Sequence, residues 1–352
     1  MEIIKLLLTL AAAFLTGSVF LRMKVPGGML VGGIVGSAAL GIIFQASYVP
    51  GAGKVFAQIV AGAFIGSGVK KSELKHIPRI LRPAALLLSF YMAANIGMGL
   101  LIYATSPVDI VTAFFSAVPG GISDIPIIAA DMGANAPQVA ALQFVRLVIG
   151  IGVFPGMINS VCKKEAPASE TDGDTTLNFQ AAGSKEEKKP YHAVITFLIA
   201  AVCGVIGKVS GIPAGTLVFS LVSVITLKIF WGKAYLPAGV KRFAQLVSGA
   251  YIGCSLGWKD LLELRYLALP AIILILGYSA FCFLMGELLK RFCGMSRKEA
   301  MLAATPAGAS DMALISSDIG VQSTDLILLQ VLRLIIVTAI FPQVLHLILL
   351  IM

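Results

Sequence analysis

Apolar positions fill this chain in long blocks. Runs at 3–21, 27–45, 54–69 and 80–104 each predict a helix close to the roughly 20 residues that cross a hydrocarbon layer. A further apolar segment at 108–132 is interrupted by Pro119-Gly120-Gly121, and a long run follows at 137–160. The order then returns: runs at 191–208, 213–229, 241–257 and 266–289, an interrupted segment at 299–319, and a last run at 325–350. Between the two sets lies a stretch of another kind. Residues 162–190 open on Lys163-Lys164-Glu165 and close on Lys185-Glu186-Glu187-Lys188-Lys189, with Ser, Thr, Asp and Gly between. Such a stretch cannot bury a core and predicts a disordered tether. The expected organisation is a first membrane repeat over 1–161, a linker over 162–190 and a second repeat over 191–352.

The two halves share a register. The pattern P-[GA]-G-x-S-D occurs at Pro119–Asp124 and again at Pro306–Asp311, an offset of 187 (306 minus 119). At the same offset Asp131 faces Asp318, Gln143 faces Gln330, Arg146 faces Arg333, and Phe154-Pro155 faces Phe341-Pro342. A gapless match of this length is a real internal repeat. Glycines four apart, at Gly28, Gly32 and Gly36, at Gly62 and Gly66, and at Gly249 and Gly253, predict close helix contacts.

Loop charges set the direction of each half. Lys70, Lys71, Lys75, Arg79 and Arg82 against Glu73 place the loop before the fourth run in the cytoplasm. In the next loop pair the bias is opposite: 105–109 carries only Asp109, whereas 290–298 carries Lys290, Arg291, Arg297 and Lys298. Equivalent loops on opposite sides mean inverted halves. Inversion needs an odd number of crossings per half, so one of six pieces must not cross. The interrupted segment has about 11 apolar residues on each side of its break, too few to span. The expected architecture is all-α and polytopic, with two inverted repeats of about five transmembrane helices plus one re-entrant hairpin each. A discontinuous crossing helix is the alternative for the interrupted piece. The linker then falls in the cytoplasm.

Composition agrees. Charged residues are 13% of 352, against about 25% in soluble domains, and mean hydropathy is +0.92. The formal net charge of +9 is carried by short loops, where it orients a membrane protein and does not point to nucleic acid. Cys162, Cys203, Cys254, Cys282 and Cys293 form no CxxC pair and read as free thiols. His76, His192 and His346 are scattered and unduplicated, so no histidine metal site is expected. The apolar N-terminus could pass for a signal peptide, but the second half repeats it at 193–207, so it is expected to be a fold element.

The chemistry concentrates at the breaks. Gly120-Gly121 bares backbone, and Ser123 and Asp124 stand where a new half-helix begins with Pro126 in its first turn. Asp124 and Asp311 are expected either as plain N-caps or as ligands at a midplane site built from half-helix ends. Gly308 and Ser310 repeat Gly121 and Ser123. Arg146 and Arg333 lie deep in their spans with Gln143 and Gln330 three residues earlier on the same face. Arginine at that depth must face the protein interior, where Asp124, Asp131 or their mates Asp311 and Asp318 are the expected counter-charges. Asp131 and Asp318 are weaker candidates, nearer an interface.

The doubled P-[GA]-G-x-S-D, each followed by x-D-x-G and Q-x-x-R, resembles the AbrB-type duplicated membrane proteins, over all of the chain but the linker. Members of that family carry labels of transcriptional regulator and of ammonia monooxygenase, and have been viewed as transporters. A monooxygenase needs a redox metal with several ligands, and three scattered histidines do not supply it. A DNA-binding regulator needs a soluble basic module, and the linker is of mixed charge. No Walker motif is present for an ATP-driven pump. The function expected is a secondary transporter of a small anionic solute, working by alternating access in the cell membrane and not an enzyme. It would be coupled to Na+ or H+ and hold no cofactor. A membrane sensor that regulates gene expression is the alternative. Expected partners are the solute and the bilayer, with a homodimer as the oligomer to test, and no nucleic acid. Shortening the linker between Ala168 and Gly183 is expected to leave flux intact in reconstituted protein; loss of flux at normal membrane levels would favour the sensor.

Overall fold

The computed structural model describes residues 2–23, 25, 27–69, 77–161, 190–306 and 324–351. Regular structure among them is entirely helical. In the first half come α1 (Glu2–Arg22), α2 (Gly28–Phe44), α3 (Gly51–Ser67), α4 (Ile77–Thr105), α5 (Ile110–Ala117), α6 (Ile125–Asp131), α7 (Ala136–Gly152) and α8 (Phe154–Val161). In the second come α9 (Pro190–Val209), α10 (Gly215–Trp231), α11 (Ala238–Cys254), α12 (Trp258–Glu263), α13 (Ala268–Cys293), α14 (Arg297–Ala304) and α15 (Thr324–Ile351). Five helices among the described residues are long and apolar enough to cross a membrane. The chain has the build of a membrane protein. The linker expected over 162–190 lies outside the described residues except for Pro190, which opens α9.

The offset of 187 holds element by element. It carries α2 onto α10, α3 onto α11 and α5 onto α14 without a residue of slippage (28 to 215, 51 to 238, 110 to 297). One expected helix is corrected. The run 137–160 is two helices, α7 and α8, divided at Val153. Its counterpart α15 is continuous through Pro342. The same Phe-Pro pair therefore breaks one copy and not the other, so proline alone does not decide the break.

The helices sort into two groups. In the first, α1 packs on α2, α2 on α11, α3 on both α10 and α11, and α9 on α10. In the second, α4, α5, α7, α8, α13, α14 and α15 surround a core that includes Leu87, Tyr91, Ile102, Leu142, Tyr278, Met285, Leu302 and Leu329, and α6 packs on α5 and α7. Contacts between the groups include α6 against α3 and α11, α7 against α11, and α15 against α10.

Contacts across the halves are reciprocal. A Cβ on Gly62 would strike the backbone of Leu217 on α10; a Cβ on Gly249 would strike Leu30 on α2. Gly62 and Gly249 are mates, as are Leu30 and Leu217. Small residues let these backbones touch. Within each half one bond also recurs at the offset: Tyr48 N–H donates to Thr9 Oγ1 at 3.0 Å, and Tyr235 N–H to Thr196 Oγ1 at 3.2 Å. Tyr91 Oη donates to Ala304 O at 2.6 Å, and Tyr278 Oη to Ala117 O at 2.5 Å. Reciprocity of this kind is the mark of a two-fold relation.

Side chains at these glycines should therefore be equally harmful. Gly62→Leu and Gly249→Leu are each expected to destabilise by about 1–3 kcal/mol through overpacking, read as a lowered Tm in detergent. Gly97→Ala on α4, where a Cβ would meet nothing within 4 Å, should leave Tm unchanged.

Candidate functional site

The break in the first half has a local cause. Helix α5 is capped by Asp109, whose Oδ1 accepts from Thr112 N–H at 2.9 Å. It ends at Val118, which turns extended at φ −69° and ψ 129° just before Pro119. Helix α6 restarts after Asp124 with Pro126 in its first turn, where a missing N–H costs nothing. It ends in a turn at Gly133, whose φ of +79° suits glycine. Asn135 then caps α7. Its N–H donates to Thr112 Oγ1 at 2.8 Å, beside the start of α5. The chain has turned back on itself, so α5 and α6 form a hairpin whose two ends lie together.

The hairpin is held by α7. Breaking α5 leaves its last carbonyls without helical partners and at the negative end of its dipole. Gln143 Nε2 donates to Phe115 O at 2.9 Å and to Val118 O at 3.0 Å. Arg146 donates from Nη1 to Val118 O and from Nη2 to Gly120 O, both at 2.6 Å. Tyr278 of the other half also hydrogen-bonds the Arg146 side chain. The second half repeats this. Gln330 Nε2 donates to Leu302 O at 3.0 Å and Ala303 O at 3.2 Å, and Arg333 Nη1 to Thr305 O at 2.8 Å and Tyr91 Oη at 3.1 Å. Two of the four expected counter-charges for Arg146 are corrected here; the other two, Asp311 and Asp318, lie outside the described residues. Neither Asp124 nor Asp131 pairs with Arg146; the guanidinium is engaged by backbone carbonyls, because the broken helix supplies them at that depth.

The two acids of the first half have other partners. Asp131 is held by α3: Lys54 Nζ ion-pairs with its Oδ1, and Gln58 Nε2 donates to its Oδ2. Asp124 stands at the N-cap of α6 but its side chain makes no capping bond, so the plain N-cap reading does not describe it. Among the described residues, the charge acting on it is that of Lys241 of α11. Ser123 Oγ accepts from Gln245 Nε2 at 2.9 Å. Sequence reasoning missed these four partners, although the signal was present. Lys241 is the mate of Lys54 and Gln245 of Gln58, both at 187 (241 minus 54, 245 minus 58). The lysines even cross reciprocally, Lys54 Nζ lying 5.7 Å from the centre of the Tyr251 ring and Lys241 Nζ 4.1 Å from that of its mate Phe64.

Ser123, Asp124, Lys241 and Gln245 line a cavity of about 290 Å³ between the two helix groups. Of the residues chosen from sequence, Gly120, Gly121, Ser123, Asp124, Arg146, Gln330 and Arg333 line it. Gln143 and Asp131 do not; Gln143 is fully buried on its carbonyls. Gly308, Ser310, Asp311 and Asp318 lie outside the described residues. One wall is apolar, with Ala57, Val60, Ala61, Phe64 and Ile65 of α3. The ionisable groups among the described lining residues are Arg146, Arg333 and Lys241 against Asp124. Both arginines are only 4% exposed, so their charges act in a medium that screens poorly. The arrangement is suited to holding a small anion. Among the described residues no cluster of three His, Cys, Asp or Glu could hold a metal ion.

Comparison with known proteins fits this duplicated helical architecture. The chain is 25% identical over 300 residues to "Uncharacterized protein YhjN" of Bacillus subtilis (strain 168), covering 81% of this chain and 76% of that protein. It is 26% identical over 328 residues to "Putative regulator AbrB" of Escherichia coli (strain K12), covering 90% and 88%. A family model described as "Transition state regulatory protein AbrB" matches twice, over residues 1–162 and 159–349. The chain belongs to this AbrB family.

Proposed function

We propose that this protein is a secondary transporter that moves a small anionic solute across the cell membrane by alternating access, with no enzymatic step. The observation that carries the reading is the cavity of about 290 Å³, lined by an unwound hairpin tip and two buried arginines at the junction of two helix groups. Unwound backbone at membrane depth is tolerated where it is buried in protein or faces a watery cavity. Half-helix ends of this kind bind ions and substrates in transporters. In this reading the halves 1–161 and 191–352 are inverted across the membrane, and the α5–α6 hairpin is re-entrant. Asp124, whose carboxylate makes no capping bond, binds the coupling Na+ or proton, and Arg146 and Arg333 draw in the anion. Motion of one helix group against the other exposes the cavity to each side in turn.

A sensor that binds the same solute without moving it is the second reading, favoured by the word regulator in the description of the family and in the name of the Escherichia coli relative. The two separate in proteoliposomes. A thermal-shift screen across anions, Na+ and pH identifies a ligand, and its flux is then measured. Asp124→Asn is expected to keep Tm, since no capping bond is lost, and to abolish coupled flux. Arg146→Lys should lower both, because lysine cannot span two carbonyls with a planar fork. Asp311→Asn and Arg333→Lys should also impair flux. Normal flux in both Asp variants would overturn the site assignment, and ligand binding without flux in the parent protein would favour the sensor.

Orientation has its own test. Single cysteines at Ser72 and at Ser296, the N-cap of α14, in a background lacking the native thiols, should both react only from the cytoplasm. Reaction of either from outside removes the inverted arrangement.

A further inference from the structure

Asp131 neither pairs with Arg146 nor lines the cavity. Its place is the joint between the two helix groups. It ends α6 of the second group, and its carboxylate is held by Lys54 and Gln58 of α3 in the first. The ion pairs of Arg79 with Asp325 and of Arg297 with Glu287, by contrast, each join helices of one group. Beside this clasp lies an apolar layer. Ala57, Ile127, Ala136 and Ile252 form one buried cluster, drawn from α3, α6, α7 and α11, with Tyr251 packed against it. Ala57 and Ile127 also line the cavity. Along α3 the next turn out from Ala57 brings Lys54, and along α6 the next turn out from Ile127 brings Asp131. The clasp therefore stands one turn beyond an apolar seal, and both layers cross between the groups. Helix α3 begins at this end and runs on to Lys70, Lys71 and Lys75, so in the proposed orientation the joint faces outside.

Such a joint is built to part reversibly. The side chains of Lys54 and Asp131 are 19% and 25% exposed. Each can regain water on separation, whereas the members of a fully buried pair would be stranded as bare charges. Lys54 has a second partner within its own group, the ring of Tyr251 on α11. It keeps that partner when α6 carries Asp131 away. Two of the four seal residues are alanines, whose separation exposes little apolar surface. The seal is thus tight enough to exclude water and small enough to open.

We propose that Lys54, Gln58 and Asp131, with the apolar cluster beside them, form the outer gate of the cavity, shut in this structure and parted when solute passes on that side. The proposal rests on the transporter reading. It is tested on the full-length protein in right-side-out and inside-out vesicles. Ser123→Cys, in a background without native thiols, reports on the cavity through its rate of reaction with a small impermeant thiol reagent. Asp131→Asn and Lys54→Gln should each speed reaction from outside about fivefold, as when a partly exposed ion pair is lost from the shut state alone. Reaction from inside should not rise. Lys54→Arg keeps the pair and should react as the parent does. The double variant Lys54→Gln with Asp131→Asn strands no charge, should match the single variants, and decides if either of them fails to fold. Faster reaction from both sides would mean general loosening and overturns the gate, as does an unchanged rate in the neutralised variants. A second measurement locks the joint. With Lys54→Cys and Asp131→Cys bridged by a short reducible bifunctional thiol reagent, flux of the ligand found by thermal shift should be lost and should return on reduction. Undiminished flux across the bridge overturns the gate while leaving the transporter reading standing. No flux in the parent protein removes both.

Discussion

The structure depends on how it satisfies backbone carbonyls where a helix has been broken inside an apolar protein. Ending α5 at Ala117 leaves the carbonyls of its last turn without i+4 helical partners: Phe115 O and Val118 O keep one turn bond each, from Val118 N–H and Gly120 N–H, and buried carbonyls need partners from the protein. Each would cost about 1–3 kcal/mol if left unmet in a buried setting. Gln143 and Arg146 meet them from the neighbouring helix, and Gln330 and Arg333 do the same for α14. Each guanidinium thereby gains fixed carbonyl partners. One residue type both holds a hairpin and lines the cavity.

The second constraint joins the halves. Tyr91 and Tyr278 each reach across to the last turn of the other half's short helix, and each also meets the other half's arginine. The glycine contacts of α2 with α11 and of α3 with α10 repeat that exchange in the other helix group. Neither half is a self-sufficient unit: every element that shapes the cavity is packed on an element from the other copy. Lys54 and Gln58 close on Asp131, and their mates Lys241 and Gln245 line the cavity, while Asp318, the mate of Asp131, lies outside the described residues.

Much of this was legible in the sequence. Hydrophobic blocks located the helices, and a gapless offset aligned α2, α3 and α5 with their mates. Pro119-Gly120-Gly121 marked the break, and depth alone forced Arg146 inward. The partner of Arg146 was not legible, because a carbonyl is common to every residue and only the fold decides which ones lie orphaned. Asp131, the weaker candidate, ends α6 and is turned to Lys54 and Gln58 of α3, away from Arg146. Lys54 and Gln58 were legible by the same offset that revealed the rest, since Lys241 and Gln245 repeat them. The division at Val153 was not legible, since its Phe-Pro pair recurs in α15 without effect.

The central claim is that one cavity, at the hairpin tip, opens to each side of the membrane in turn. Ser123 lines that cavity. A single cysteine placed there in a background without native thiols can be challenged with a small impermeant thiol reagent in right-side-out and in inside-out vesicles. The account predicts reaction from both sides, with protection in both by the ligand that raises Tm. Reaction from one side only, whatever the ligand, would contradict it.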